Sequence, residues 1–332
     1  MVIISSISLL VLLSVKVLAF SMGFPECQTG KGPTLFRHPG ISVIDEYDDQ
    51  EGYYAFVPKD SEYRADKVVG FVHGYGALNP MIFGAWIEHL VLQGHIVIYP
   101  RYQQNLIFPS AAAFTGNVAA ALNGAIQKLE LESKLDENAD LYLFGHSFGG
   151  VIIANIAVEL EEYEIKKPAG VFVAEAGTGP LTGAIKDSYG SFPQDVPLII
   201  TTGDKDYTVG DFFGKKLYNE VTGNKVIHIH QSSYFKGKNR ISSSHYEPYS
   251  IGAWADNGID NITTKRALHV AKKDVLDTNG YWYWLDRLMM IGQDEEGVMQ
   301  ELFNPDQPLL LMDDMGQALT GAIEVRYKIK HP

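Results

Sequence analysis

Cysteine is almost absent from this chain of 332 residues: Cys27 is the only one. That excludes a disulfide within one chain and a zinc site built on several thiolates. Its place close to the N-terminus also speaks against a cysteine nucleophile working with a histidine. Positive charge is scarce as well. Lys and Arg number 27 against 40 Asp and Glu, a net charge of −13. Neutralising phosphates needs clustered cations, so a nucleic-acid partner is not expected, nor is docking on anionic lipid. There is no His-Glu-x-x-His, no calcium loop and no dinucleotide glycine spacing, so no metal or cofactor is expected. No specific protein partner is implied. Repeats, low-complexity tracts and Pro/Ser-rich linkers are missing too, so nothing divides the chain after its leader.

The leader is residues 2–15, which are apolar with scattered serines. Val17-Leu18-Ala19 supplies small residues where a signal peptidase cuts, so 1–19 reads as a signal peptide or an N-terminal anchor and 20–40 as an extension. An n-region without Lys or Arg and the late Lys16 leave the anchor open, since ~20 apolar residues can span a bilayer. Export is the expectation in either case. Asn261-Ile262-Thr263 is a glycosylation sequon, relevant only in a eukaryotic secretory path.

With 46% apolar and 20% charged residues, the rest has the composition of a globular chain large enough to bury a sizeable core. Short β-branched runs alternate with helical patterns. Strands are expected at 68–72, 95–99, 141–144, 171–174, 198–201 and 226–229, preceded by a pair at 41–44 and 53–57. Helices are expected at 111–130, 148–163 and 209–221, and around Trp86–Leu92. Continuous apolar strands separated by helices indicate parallel strands buried on both faces, hence an α/β doubly wound sheet in a single domain over 41–332. Residues 281–290 read as a closing helix against the sheet, and 322–329 alternate like an edge strand.

One motif carries chemistry. Gly145-His146-Ser147-Phe148-Gly149 follows strand 141–144 directly and opens helix 148–163. A sharp strand-to-helix turn holds a serine hydroxyl above a sheet, and the glycines give room where a Cβ would collide with its neighbours. The helix N-terminus favours developing negative charge. Here the chain resembles the α/β-hydrolase superfamily over roughly residues 41–330. The resemblance is to its serine esterase and lipase types: dienelactone-hydrolase-like, cutinase-like, and platelet-activating-factor-acetylhydrolase-like, the last sharing Gly-His-Ser-Phe-Gly. The disulfides of many secreted polyesterases cannot form here.

A serine needs a base, and the base an orienting acid. The resemblance implies the chain order Ser, acid, His. Strand 198–201 runs into Gly203-Asp204-Lys205-Asp206-Tyr207-Thr208-Val209, and the resembling Gly-x-x-Asp-x-x-Val transfers the acid to Asp206 rather than Asp204. Glu175, just after strand 171–174, is a second candidate. Among the later histidines, His228 and His230 alternate within a strand and face one side of the sheet as packed or edge side chains. His269 lies in the helical-looking 264–276 region and His331 in the tail. His245, in the polar loop Ser242-Ser243-Ser244-His245-Tyr246 past strand 226–229, is the candidate base. The oxyanion hole should be two backbone N–H groups. One is that of Phe148; His73-Gly74-Tyr75-Gly76, after the first parallel strand, matches the family's His-Gly-x pattern and implies Tyr75 for the other.

Residues 176–195 leave room for a loop with at most a short helix, so no large cap is expected. The irregular stretch 231–262 carries His245 with Tyr234, Phe235, Tyr246, Tyr249 and Trp254. Gly74, Gly76, Glu175 and Phe108 are candidate substrate-binding residues, and Phe114 is a further aromatic near the site. The resulting expectation is an exported serine hydrolase that cleaves small-molecule or lipid-like carboxylic esters. Acyl transfer, thioester or peptide cleavage with the same triad, and a non-catalytic binding protein on the same fold, stay open.

Overall fold

The computed structural model describes residues 38–303, apart from 48, 61, 104–105, 108, 182, 231, 235–239, 275 and 292–294, together with the strand at 323–328. The leader at 1–19, most of the extension at 20–40, Cys27, Phe108, Phe235 and His331 lie outside these residues. Among the described residues no helix is long and apolar enough to cross a membrane.

The strands are β1 (Ile41–Glu46), β2 (Tyr53–Pro58), β3 (Ala65–Val72), β4 (Ile96–Pro100), β5 (Leu135–His146), β6 (Gly170–Ala174), β7 (Leu198–Gly203) and β8 (Lys225–His230). They form one mostly parallel sheet in the order β1-β2-β4-β3-β5-β6-β7-β8. β1 and β2 pair antiparallel, and β2 adds antiparallel to β4; the run from β4 to β8 is parallel throughout. A two-stranded ribbon, β9 (Ser233–Tyr234) and β10 (Arg240–Ile241), leaves the end of β8. The tail strand β11 (Ile323–Lys328) pairs antiparallel with β8, at the edge where alternation in the sequence put it.

Side-chain alternation explains why both faces are covered. Val68 and Val72 of β3 and Leu141 and Leu143 of β5 enter one core, while Val69, Phe71, Tyr142 and Phe144 enter the other. The first face is closed by α2 (Phe114–Leu131), α3 (Phe148–Val158) and α4 (Phe212–Glu220), the second by α1 (Gly84–Leu92) and α6 (Trp282–Met289). Strands with no polar face can be stable only between two helical layers. Two further helices are α5 (Ile262–Val270) and α7 (Glu295–Phe303). Among the described residues no separate cap stands over the sheet, and 176–195 forms loop without helix.

Element ends differ from expectation for physical reasons. The helix after Ser147 stops at Val158, not 163, because the apolar periodicity gives way to Glu159, Glu161, Glu162 and Glu164. Acidic side chains are disfavoured at a helix C-terminus, and Glu164 turns the chain with φ 54°. β5 starts at Leu135, six residues before the apolar run, because its polar beginning continues the pairing with β3 across a register shift. α7 carries no strong apolar period and was not apparent in the sequence.

The sequon asparagine has a structural task. Asn261 caps α5, accepting from Thr264 N (2.9 Å), and donates through Nδ2 to the Gly76 carbonyl (2.7 Å) in a buried position. That side chain is not available to a glycan in the folded chain.

Two glycines give opposite expectations. A Cβ on Gly149 would lie 2.1 Å from the Val72 carbonyl oxygen, so Gly149→Ala should lower stability by about 1–3 kcal/mol or more. Gly116, on the open side of α2, has nothing within 4 Å, so Gly116→Ala should raise stability by about 0.5–1 kcal/mol. Urea denaturation of the two variants checks both signs.

Candidate active site

Parallel strands bring their C-terminal ends to one edge of the sheet, and every candidate follows such an end. The His73–Gly76 loop follows β3, Ser147 follows β5, Glu175 follows β6, Asp206 follows β7, and His245 comes in beyond β8. Strand order reverses between β3 and β5, the crevice where open α/β sheets take ligands.

Ser147 sits at φ 56°, ψ −122°, a left-handed conformation that costs a non-glycine residue of order 1–3 kcal/mol. The surroundings enforce it. Its N–H donates to the Ala174 carbonyl (2.9 Å) and its carbonyl accepts from Gly177 N (3.2 Å). Gly145 has no space for a Cβ, which would meet the Gly149 carbonyl oxygen at 2.5 Å, and a Cβ on Gly74 would meet the Ser147 Cβ at 2.9 Å. The β3 loop therefore presses directly on the serine.

Asp206 is joined to His245. His245 Nδ1–H donates to Asp206 Oδ2 at 2.8 Å, with the carboxylate side chain fully buried and the imidazole nearly so. Asp206 Oδ1 accepts from the Thr208 and Val209 N–H groups, both at 2.9 Å. Burial works against charge on this carboxyl, but the bond and the positive field of His245, with the two backbone donors, outweigh it and hold Asp206 below the usual carboxylate range. Asp204, by contrast, is exposed and accepts from the backbone and hydroxyl of Ser232. A bond from Nδ1–H fixes the His245 tautomer and leaves Nε2 as its basic nitrogen.

A contact not foreseen from sequence fixes the other side of His245. His146 Nε2 donates to the His245 carbonyl at 2.8 Å, and the two rings lie 4.9 Å apart. Burial pushes the His146 imidazole down to about 3, so it stays neutral with its proton on Nε2. Its place beside the serine in the motif was the only hint in the sequence.

The loop after β3 is tied from behind. Gly74 O accepts from Ala77 N (3.0 Å), Tyr75 O from the Thr263 hydroxyl (3.3 Å) and Gly76 O from Asn261. Gly76 N donates to Gln103 Oε1 at 2.8 Å. Gly76 adopts φ +75°, and a Cβ there would strike the Thr263 hydroxyl. Asn261, Thr263 and Gln103 thus position a loop whose residues are far from them in sequence.

Ser147, His245, Tyr75 and Phe148 all line one cavity of about 590 Å³, walled by apolar groups including Leu181, Val209 and Tyr249. Gly74 and Gly76 shape the loop but do not line the cavity. Phe114 packs edge-on against Phe148 (5.2 Å), and Trp254 donates to the Gly84 carbonyl, so both belong to the scaffold. His228 and His230 are fully buried against Trp284, as packed strand histidines.

Glu175 is neither a partner of His245 nor a cavity residue. It is fully buried, with Tyr281 OH donating to Oε1 (2.7 Å) and Thr201 OH to Oε2 (3.3 Å). The backbone bonds from Glu175 N to Thr201 O and from Ser147 N to Ala174 O hold this junction tightly, and φ 41° turns the side chain into the core beneath the site.

Neither the protein-family models nor the curated proteins compared with this chain give a match.

Burial raises the Glu175 carboxyl to about 8, so it is protonated at neutral pH. An unfolded chain releases that proton near pH 4.5, so folding takes up a proton here between about 4.5 and about 8, and the contribution of this carboxyl to stability falls as pH rises through that window. Glu175→Gln should lack this contribution, gaining on wild type by up to a few kcal/mol across the window. Urea denaturation at steps of pH measures this; parallel curves would contradict it.

Proposed function

We propose that this protein is a serine hydrolase that cleaves carboxylic esters through an acyl-enzyme. The observation that carries the reading is the 2.8 Å bond from His245 Nδ1 to a buried Asp206, beside a serine strained at φ 56° on the wall of the same cavity. A structural serine at a helix start has no need of positive φ, and a buried carboxylate costs stability unless its charge is used or well paired.

In this mechanism the Ser147 hydroxyl attacks the ester carbonyl carbon while His245 Nε2 takes its proton. Asp206 holds the imidazole in the required tautomer and stabilises the imidazolium. The carbonyl oxygen becomes an oxyanion and receives the Tyr75 and Phe148 backbone N–H groups, a pair in which one donor is typically worth ~3 kcal/mol. Collapse breaks the bond to the alcohol oxygen, and His245 gives that oxygen the proton. Water, deprotonated by His245, then attacks the acyl carbon, and Ser147 leaves with its proton restored. Atoms and charge balance without metal or cofactor participation.

The cavity size suits ligands of a few hundred Å³. Its apolar wall favours an apolar acyl group, and among the described residues no cap covers it, which leaves it open to water. The apolar segment 2–15 followed by Ala19 supports action outside the cytoplasm.

A panel of nitrophenyl esters of rising acyl length tests the proposal. Wild type should hydrolyse short to medium chains, and Ser147→Ala should lose at least ~1,000-fold in kcat. Retained activity in Ser147→Ala would overturn it, and full activity in His245→Ala would show the base to be another residue.

A further inference from the structure

A second recess of about 480 Å³ opens beside the first. Thr208, His245, Tyr246 and Arg266 belong to both, but Ser147 lines only the apolar one. In a chain of net charge −13, the second recess gathers Lys205, Arg266, His269 and Lys272. Lys205 is next to the acid on its own turn, with N–H bonded to the Ser243 carbonyl at 3.0 Å. Arg266 and His269 are exposed on α5, and Lys272 just follows it. The Arg266 guanidinium lies 5.2 Å from the centre of the Tyr246 ring, at the border of the two spaces.

Two acids share this recess and do not cancel it. Glu247 is buried, and burial with the neighbouring Asp274, Asp277 and Glu175 pushes its carboxyl well above the usual range. Asp274 accepts from Leu276 N at 2.9 Å. Three Lys and Arg side chains, Lys205, Arg266 and Lys272, thus line the recess with only two acids.

Position relative to the proposed chemistry decides which part of a substrate meets these cations. The acyl carbon must sit at Ser147, and the leaving oxygen must sit at His245 Nε2 to be protonated. A space bordered by His245 and not by Ser147 is on the alcohol side. Resting on the serine-hydrolase reading, we propose that the preferred ester carries an anionic group, a carboxylate or phosphate, on its alcohol portion. Arg266 and Lys272 hold it, backed by Lys205 and His269. The apolar cavity takes the acyl group. An Arg presented beside an aromatic ring suits planar oxyanion recognition, and lysines add point charge.

Three esters of one acyl group test this: meta-butyryloxybenzoate, its neutral amide, and meta-butyryloxyphenyl phosphate. Release of each phenol by the full chain gives kcat/KM. Wild type should prefer both anionic esters to the amide by about five- to tenfold at low salt, and the preference should shrink as ionic strength rises. Arg266→Gln and Lys272→Gln, both at exposed positions, should each bring the anion-to-amide ratio toward one. Preference for the benzoate alone, or the phosphate alone, would identify which anion the recess fits. Equal or faster hydrolysis of the amide by wild type would overturn the proposal while leaving the esterase reading in place. A ratio unmoved by both variants would also overturn it. Hydrolysis of none of the three, with none of the nitrophenyl esters cleaved either, would overturn both.

Discussion

The junction between β5 and α3 is the constraint on which the rest depends. A serine held at φ 56° needs neighbours that leave no alternative, and here they are backbone. Gly149 lies against the Val72 carbonyl, Gly145 against Gly149, and Gly74 against the serine itself. Helix α3 can approach β3 this closely only because no Cβ intervenes. The same closeness brings the β3 loop to the hydroxyl. Strand pairing across β3, β5, β6 and β7 then places Asp206 at the same edge, and the loop beyond β8 supplies His245.

The interior around this junction is kept almost free of charge. Burial drives the His73 imidazole down to about 4 and those of His146 and His230 to about 3, while it drives the Glu175 and Asp277 carboxyls up to about 8. Asp206 goes the other way because it alone of these acids meets an imidazole N–H and two backbone donors together. A low-dielectric setting strengthens that one charge-assisted bond and makes every unpaired charge costly. Fixed positive charge gathers instead at the mouth, on the turn before Asp206 and on α5.

The parts legible in the sequence are those written locally. Val68–Val72 and Leu141–Phe144 are continuous apolar runs, so the α/β alternation and the two helical layers could be read directly. Ser147 lies between glycines at a strand end, and Asp206 within a Gly-Asp turn, so both could be proposed from a few residues. His245 was separable from His228 and His230 by strand period, and those two are indeed packed in the core. Contacts between distant residues were invisible. His146 meets His245 across 99 positions and Asn261 meets Gly76 across 185. The sequon pattern at Asn261 concealed a helix cap and a loop anchor. Glu175 looked available because it follows a strand end, but a positive φ sends its side chain inward to Tyr281. The cationic recess was hidden by the overall acidity, since its members come from 205 and from 266–272.

The central claim is that Ser147 is an activated nucleophile served by His245. Covalent labelling with a fluorophosphonate, followed by peptide mass mapping, tests it most directly, because phosphonylation requires both an exposed serine oxygen and a base to deprotonate it. A single adduct on Ser147 that forms rapidly in the wild type and at least ~100-fold more slowly in His245→Ala is the predicted result. An unlabelled protein, or an adduct on another residue, would contradict it.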